Sequence, residues 1–399
     1  MTAGRRLTPG LLAALGFITA VGPFAVDMYL PSFTQIGTDL AAPASSVQLT
    51  LTAFLIGIGV GQLILGPLSD RFGRRPVLVI ALAVFAASGV AMAFTPTVEV
   101  FIALRLVQGL TGAAGMMLAR AIAVDLSEGE TAVRALSLIA MLVGLGPLIA
   151  PPIGGAVAAI AGWRGVLGVL AAISVAMFVL AVAVVPESLP PEKRHAGGVA
   201  GAFARYGTLL RDGGVRGYVT VFAFGFAAMM AYISASPFVG QTVLRMPPLV
   251  YAFGFAAGAA GIVLSNLVNA RVAPRVGVRR MLLVGVALSV VASVALAVLA
   301  LTGALQPATF ILCAFVLTSA TGLIMSNASA LALARAAAAR GAGAALLGSS
   351  QFLVGAIASP LVGLWGEDTA VPMALVALVA SAVAAVVVLL TRPRPLPAA

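Results

Sequence analysis

Apolar stretches of membrane-crossing length, separated by short polar connections, follow one another along almost the whole chain. A helix needs about 20 such residues to cross the roughly 30 Å hydrocarbon layer of a bilayer. The pattern predicts an all-α membrane protein with 12 transmembrane helices, at 10–33, 47–68, 77–95, 98–120, 134–158, 164–185, 216–239, 249–270, 280–301, 308–330, 341–364 and 370–390. The chain is 61% hydrophobic and 9% charged, whereas soluble domains carry about 25% charged residues. Cys313 is the single cysteine and lies in an apolar run; His195 is the single histidine and lies in a connection. Neither a disulfide framework nor a thiolate metal site is therefore expected, and no cofactor. Arg5 and Arg6 before the first apolar run mimic a secretory signal. The many spans that follow mark that run as a retained helix.

A net charge of +11 would suit nucleic acid, but its distribution points to membrane orientation. Alternate connections hold 20 of the 23 lysines and arginines, while the opposite side has only Arg164 and Arg245. The positive-inside rule then predicts both termini in the cytoplasm, as an even number of spans requires. The longest connection, 186–215, is rich in Pro, Gly and charge. It divides the chain into a six-helix bundle (1–185), a cytoplasmic linker (186–215) and a second six-helix bundle (216–399). The halves echo each other: Gly66–Arg75 (GPLSDRFGRR) returns 204 residues later as Ala270–Arg279 (ARVAPRVGVR). Such an offset of about half the chain is expected of a duplicated bundle. Pro274 stands where the second copy would have its acid.

Of the 12 acidic residues, Asp27 alone lies inside an apolar span, and Arg105 is the one cation similarly deep. A charge in lipid costs about 2.5–3.5 kcal/mol even on the lenient insertion scale, so the two are candidates for function. Asp27 falls about 6 residues, or roughly 9 Å, below the outer end of its span, and Arg105 about 7 residues, or roughly 10 Å. They share a depth, and a direct or water-bridged pair is anticipated. Gln108 follows Arg105 by one turn on nearly the same face and can hold its guanidinium. Gly57, Gly59 and Gly61 lie inside a span, where they permit close helix approach rather than phosphate binding. Trp163 and Trp365 sit at span ends, as interfacial anchors do. Asn266, Asn269 and Asn327 suit interhelical hydrogen bonds.

Gly66–Arg75 resembles the G-x-L-x-D-R-x-G-R-[KR] loop of the major facilitator superfamily; Pro67 departs from its usual form. Arg105, Gln108 and Gly109 match that superfamily's R-x-x-Q-G element. Gly144, Gly146, Pro147, Pro151, Gly154 and Gly155 resemble the antiporter motif of its drug exporters, whose prolines bend a helix and whose glycines admit a neighbour. Asp27–Pro31 (DMYLP), Ala119–Ile122 (ARAI), Gly162–Arg164 (GWR), Pro186–Pro190 (PESLP) and Ala231–Phe238 (AYISASPF) together resemble the Bcr/CflA group of proton-coupled multidrug exporters.

The resemblance covers nearly the whole chain and implies two six-helix pseudo-repeats that work by alternating access. It implies a cytoplasmic latch formed by Gly66, Asp70, Arg71, Gly73, Arg74 and Arg75, and a central cavity lined in part by the first and fourth spans. A drug and a proton would compete at Asp27, with Arg105 and Gln108 beside it. Met28, Tyr29, Tyr232, Phe238 and Gln351 would offer an adaptable surface of the kind promiscuous binders use. Thr19 stands where some relatives carry a second acid. The implied setting is a bacterial inner membrane, with a monomer exchanging small-molecule drugs for protons and binding no nucleic acid. An importer or uniporter with a purely structural Asp27–Arg105 pair stays open. An enzyme is disfavoured: the chain lacks a nucleophile with a base, an acid dyad or a Walker-type loop.

Overall fold

The computed structural model describes residues 7–127, 129–194, 198–363 and 368–391. Arg5, Arg6, Glu128, His195, Trp365, Glu367, Arg392 and Arg394 fall outside these ranges. The helices, in chain order, are α1 (Pro9–Thr19), α2 (Val21–Asp27), α3 (Phe33–Asp39), α4 (Ala44–Phe72), α5 (Arg74–Ala93), α6 (Val98–Asp125) and α7 (Gly129–Val184). They continue with α8 (Gly198–Arg211), α9 (Gly213–Phe238), α10 (Pro248–Val276), α11 (Val278–Leu301), α12 (Pro307–Arg335), α13 (Arg340–Leu361) and α14 (Val371–Leu390). Among the described residues, 11 helical stretches are long and apolar enough to cross a membrane. One of them, α7, is interrupted at Gly162, whose φ of 66° and ψ of −176° are not helical. That turn divides it into two spans, and the 12 anticipated spans are recovered.

Two expectations needed correction. The first span is not one helix. α1 stops at Thr19, four residues before Pro23, and α2 stops at Asp27, four residues before Pro31. Proline has no N–H to return to the carbonyl four residues back, and its ring crowds that carbonyl. A 3₁₀ turn at Leu30–Ser32 then leads into α3. The connection 186–215, read as a polar linker, contains α8, a 14-residue helix. It also contains the start of α9, capped by Asp212, whose Oδ1 accepts from the amides of Gly214 and Val215 at 2.8 Å each.

Tertiary contacts divide the chain into two compact units: the residues up to Ala41 with Ala53–Ala202, and Ala42–Thr52 with the residues from Phe203. In the first unit, α4 and α6 meet backbone to backbone. A Cβ at Gly57 would strike the Leu106 carbonyl, one at Gly61 the Leu110 carbonyl, and one at Gly109 the Phe54 carbonyl. In the second unit, Val219, Phe222, Leu282, Val286, Ile324, Leu347 and Val388 form a continuous apolar core. Its polar groups pair across helices. Ser381 Oγ lies 2.8 Å from Ser289 Oγ and 3.0 Å from Ser293 Oγ. Asn327 donates to Asn269 at 2.8 Å and Ser326 to Asn266 at 2.6 Å, joining α10 to α12 as the asparagines' positions anticipated.

Candidate functional site

The break in the first span sets the position of Asp27. It is the last residue of α2, and it is buried, with 4% of its surface exposed. Among the described residues its carboxylate has no hydrogen-bond or ion-pair partner within reach. Arg105 is also buried, at 1% exposure, but it does not reach Asp27. Its Nη2 donates to the Ala25 carbonyl at 2.9 Å and its Nη1 to Gln108 Oε1 at 2.7 Å. The guanidinium lies 4.4 Å from the centre of the Tyr29 ring and 4.1 Å from that of Phe54, in cation–π contact with both. Its Nε is buried without a partner. The bond to Ala25 brings the guanidinium to the stretch of α2 two residues before Asp27. Gln108 holds the guanidinium as its one-turn spacing suggested. The direct Asp27–Arg105 ion pair is not made.

The motif glycines of α7 press against the same broken span. A Cβ at Gly146 would run into Pro23, and one at Gly154 into the Met28 carbonyl. Those contacts fall on either side of Asp27. Gly144 faces open space. Pro147, Pro151 and Gly155 all lie within α7, and Pro151 and Gly155 are buried. Thr19 is buried too, its hydroxyl donating to the Leu15 carbonyl at 2.7 Å.

At the opposite end of α4, Gly73 has a φ of 104° and separates α4 from α5. The helix runs through Pro67 to Phe72 before that turn. Arg74 makes a 2.6 Å ion pair with Asp70 and a 3.4 Å pair with Asp125 at the end of α6. Its amide donates to Glu187 Oε1 at 3.0 Å. Arg75 donates to the Val182 carbonyl in the last turn of α7 at 3.0 Å. Arg71 lies over the Phe72 ring, 5.2 Å from its centre. Gly66 meets only the end of the Met117 side chain. The sequence reading missed Glu187 and Asp125 as partners of this loop; the PESLP stretch contained the signal for Glu187.

The other candidates are distributed differently. Met28 and Tyr29 are fully buried beside the guanidinium site. Tyr232 and Phe238 are buried in the second unit, where Tyr232 stacks on Phe255 at 5.9 Å and packs on Phe310 at 5.7 Å. Tyr251 OH lies 2.8 Å from Ser236 Oγ in the same cluster. Gln351 on α13 is half-buried, and its Oε1 has no partner. Trp163 is not an interfacial anchor: it is 1% exposed, and its indole N–H donates to Asp39 at 2.7 Å.

A family-wide sequence pattern described as Major Facilitator Superfamily matches residues 15–359. The chain belongs to the major facilitator superfamily. It is a multi-pass membrane protein of a transporter family, not of an enzyme family. It is 34% identical over 372 residues to the uncharacterized MFS-type transporter YdgK of Bacillus subtilis, covering 92% of each chain. It is 31% identical over 363 residues to the bicyclomycin resistance protein homolog of Haemophilus influenzae, covering 91% of each. Such relatives agree with the Bcr/CflA resemblance read from the motifs. The fold is also similar to a partially occluded, inward-open structure of the xylose transporter XylE from E. coli, with a TM-score of 0.72 at 16% identity over 94% of this chain and 96% of that one.

Proposed function

We propose that the chain exports small antibiotic-like molecules in exchange for protons, and that proton and substrate compete for Asp27. The observation that carries this reading is the Asp27 carboxylate: enclosed, at a helix break, and unpaired among the described residues. A buried carboxylate with no cation in reach can be neutralised only by a proton or by a group brought to it. Arg105 is held by Ala25, Gln108 and two rings. It supplies a fixed positive charge near Asp27 without cancelling it.

A proton from outside neutralises Asp27 and permits the outward-to-inward change; substrate from the cytoplasm then displaces it. One unit of pH gradient supplies about 1.4 kcal/mol per proton. A potential of about 100 mV adds about 2.3 kcal/mol per charge moved. One proton thus drives modest concentrative export of a neutral drug. The name of the Haemophilus influenzae relative supports an antibiotic as cargo. In this reading the protein works as a monomer in a bacterial inner membrane with both termini cytoplasmic, and 1–185 and 216–399 act as the rocking bundles joined by 186–215. Asp70, Arg74 and their neighbours latch the cytoplasmic side. Gln351, with its orphan oxygen, is the substrate contact favoured in the second bundle.

The test is proton release from purified protein in detergent on addition of bicyclomycin or an amphenicol, comparing the unmodified chain with Asp27→Asn. Release by the former and none by the latter is expected. Drug binding without release from either protein would overturn the exchange mechanism in favour of a uniporter.

A further inference from the structure

We infer that Trp163 and Asp39 position Arg105 through a column of aromatic rings, giving the Gly162–Arg164 turn a role in the charge site rather than at the membrane surface. Trp163 Nε1 donates to Asp39 Oδ2 at 2.7 Å, and the Trp163 amide donates to Gln35 Oε1 at 3.1 Å. Both acceptors belong to α3. The indole stacks on Phe101 with centroids 6.2 Å apart and planes at 26°. Phe101 meets Tyr29 edge-on, again at 6.2 Å. Tyr29 packs on Phe33 at 4.9 Å and lies 4.4 Å from the Arg105 guanidinium.

The column is closed to solvent. Trp163, Phe101, Tyr29 and Arg105 are each no more than 1% exposed, and close-packed interiors transmit displacement rather than absorb it. Arg105 needs such support. Its Nε has no partner, and Tyr29 and Phe54, which flank the guanidinium, help to fix its plane. At the far end, Gly162 adopts a φ of 66°, which suits glycine alone, and so turns Trp163 inward. Arg164 lies 4.1 Å from the indole centre and donates to the Thr95 carbonyl at 3.2 Å, clamping the ring from the next position. An interfacial tryptophan would keep an edge open to the headgroup layer; Trp163 is buried in the protein.

For its effect on transport this inference rests on the export reading; for the ring column it does not. The chain has two tryptophans, Trp163 and Trp365, so Trp365→Phe leaves Trp163 as the sole reporter in the full-length protein. Emission is compared in that background with and without Arg105→Ala, each with and without Phe101→Leu. Arg105→Ala is expected to shift Trp163 emission, and Phe101→Leu to abolish that shift. No shift, or an equal shift in both backgrounds, would overturn the proposal. Arg105→Lys serves the same comparison should the alanine variant not fold.

Transport supplies the second readout. Asp39→Ala removes one hydrogen bond and is expected to raise the KM for bicyclomycin about fivefold, with protein amount and maximal rate retained. Asp39→Asn keeps an acceptor oxygen and restores the KM. A change in protein amount alone would mark Asp39 as merely structural. Should the unmodified protein transport nothing, the emission comparison still decides the column, so the two readings fail separately.

Discussion

The turn at Gly73 in the first unit and the turn at Gly277 in the second are the same piece of backbone carrying different chemistry. Their φ values are 104° and 100°, and each joins two long helices. After each comes an arginine that caps the last helix of its unit. Arg75 donates to Val182 in the last turn of α7, and Arg279 to Val388 and Thr391 at the end of α14. Cations suit helix C-termini, where unpaired carbonyls gather partial negative charge. The acids differ. The first turn ties Arg74 to Asp70, Asp125 and Glu187, whereas the second has Pro274 in place of the acid, and Arg279 takes a tyrosine hydroxyl and two carbonyls. Duplication preserved the backbone geometry of the turn and left its carboxylate cluster in one half. Asp27 lies in that half too. Among the described residues, the buried polar side chains of the second unit bear hydroxyls and amides.

The largest expected effect tests the packing side of this contrast. Gly154→Ala in the first unit drives a Cβ into the Met28 backbone, next to Asp27. Gly355→Ala in the second meets the Met230 side chain, 2.9 Å from Cγ. Overpacking costs typically about 1–3 kcal/mol, and backbone cannot swing aside as a methionine can. Gly154→Ala should abolish export and lower the unfolding temperature clearly, Gly355→Ala much less, and Gly144→Ala, facing open space, not at all. Equal losses at Gly154 and Gly355 would break the contrast.

Next come the paired arginines. Arg279 makes three bonds, at 3.2, 2.9 and 3.3 Å, to Tyr218, Thr391 and Val388. Arg75 is exposed and makes one. Charged hydrogen bonds in partly buried sites contribute about 1.5–3 kcal/mol, and exposed ones under about 1 kcal/mol. Thermal unfolding in detergent should therefore show Arg279→Ala as the more destabilising by a clear margin.

The acidic network should respond to salt. Arg74 and Asp70 have side chains 16% and 37% exposed, so their pair contributes at most about 1 kcal/mol and is screened. The gap in unfolding temperature between Arg74→Ala and the unmodified chain should narrow at high ionic strength, while the Arg279→Ala gap persists.

The smallest effect concerns Asp212, the cap of α9. The Val215 amide, with help from Gly214 and Arg335, outweighs partial burial and holds its carboxyl below the usual carboxylate range. Its folded pKa is thus below its unfolded one, and the stability it adds is full above the ordinary aspartate value of about 3.9. That stability fades as pH falls through the lower folded value. Asp212→Ser keeps a capping oxygen without the charge, so the two proteins should converge in stability at acid pH. A constant gap down to the most acid pH at which the fold survives would contradict this.

Hydropathy alone determined the span count, because crossing lipid leaves a helix almost no choice of length or composition. Charge rarity found Asp27 and Arg105, and one-turn spacing found Gln108, since both signals are local. The breaks after Thr19 and Asp27 were also legible, four residues before Pro23 and Pro31, although the span was read as continuous. Only the tertiary structure decided what Arg105 does with its donors. Its acceptor at Ala25 lies 80 residues away, and its flanking rings come from the bend after α2 (Tyr29) and from α4 (Phe54). Trp163 shows the same limit: position at a span end reads as anchoring, but the φ of Gly162 and the reach of Asp39 turned it inward. Sequence fixes what must be buried in lipid through composition; which buried groups meet depends on close packing between distant segments, which composition does not encode.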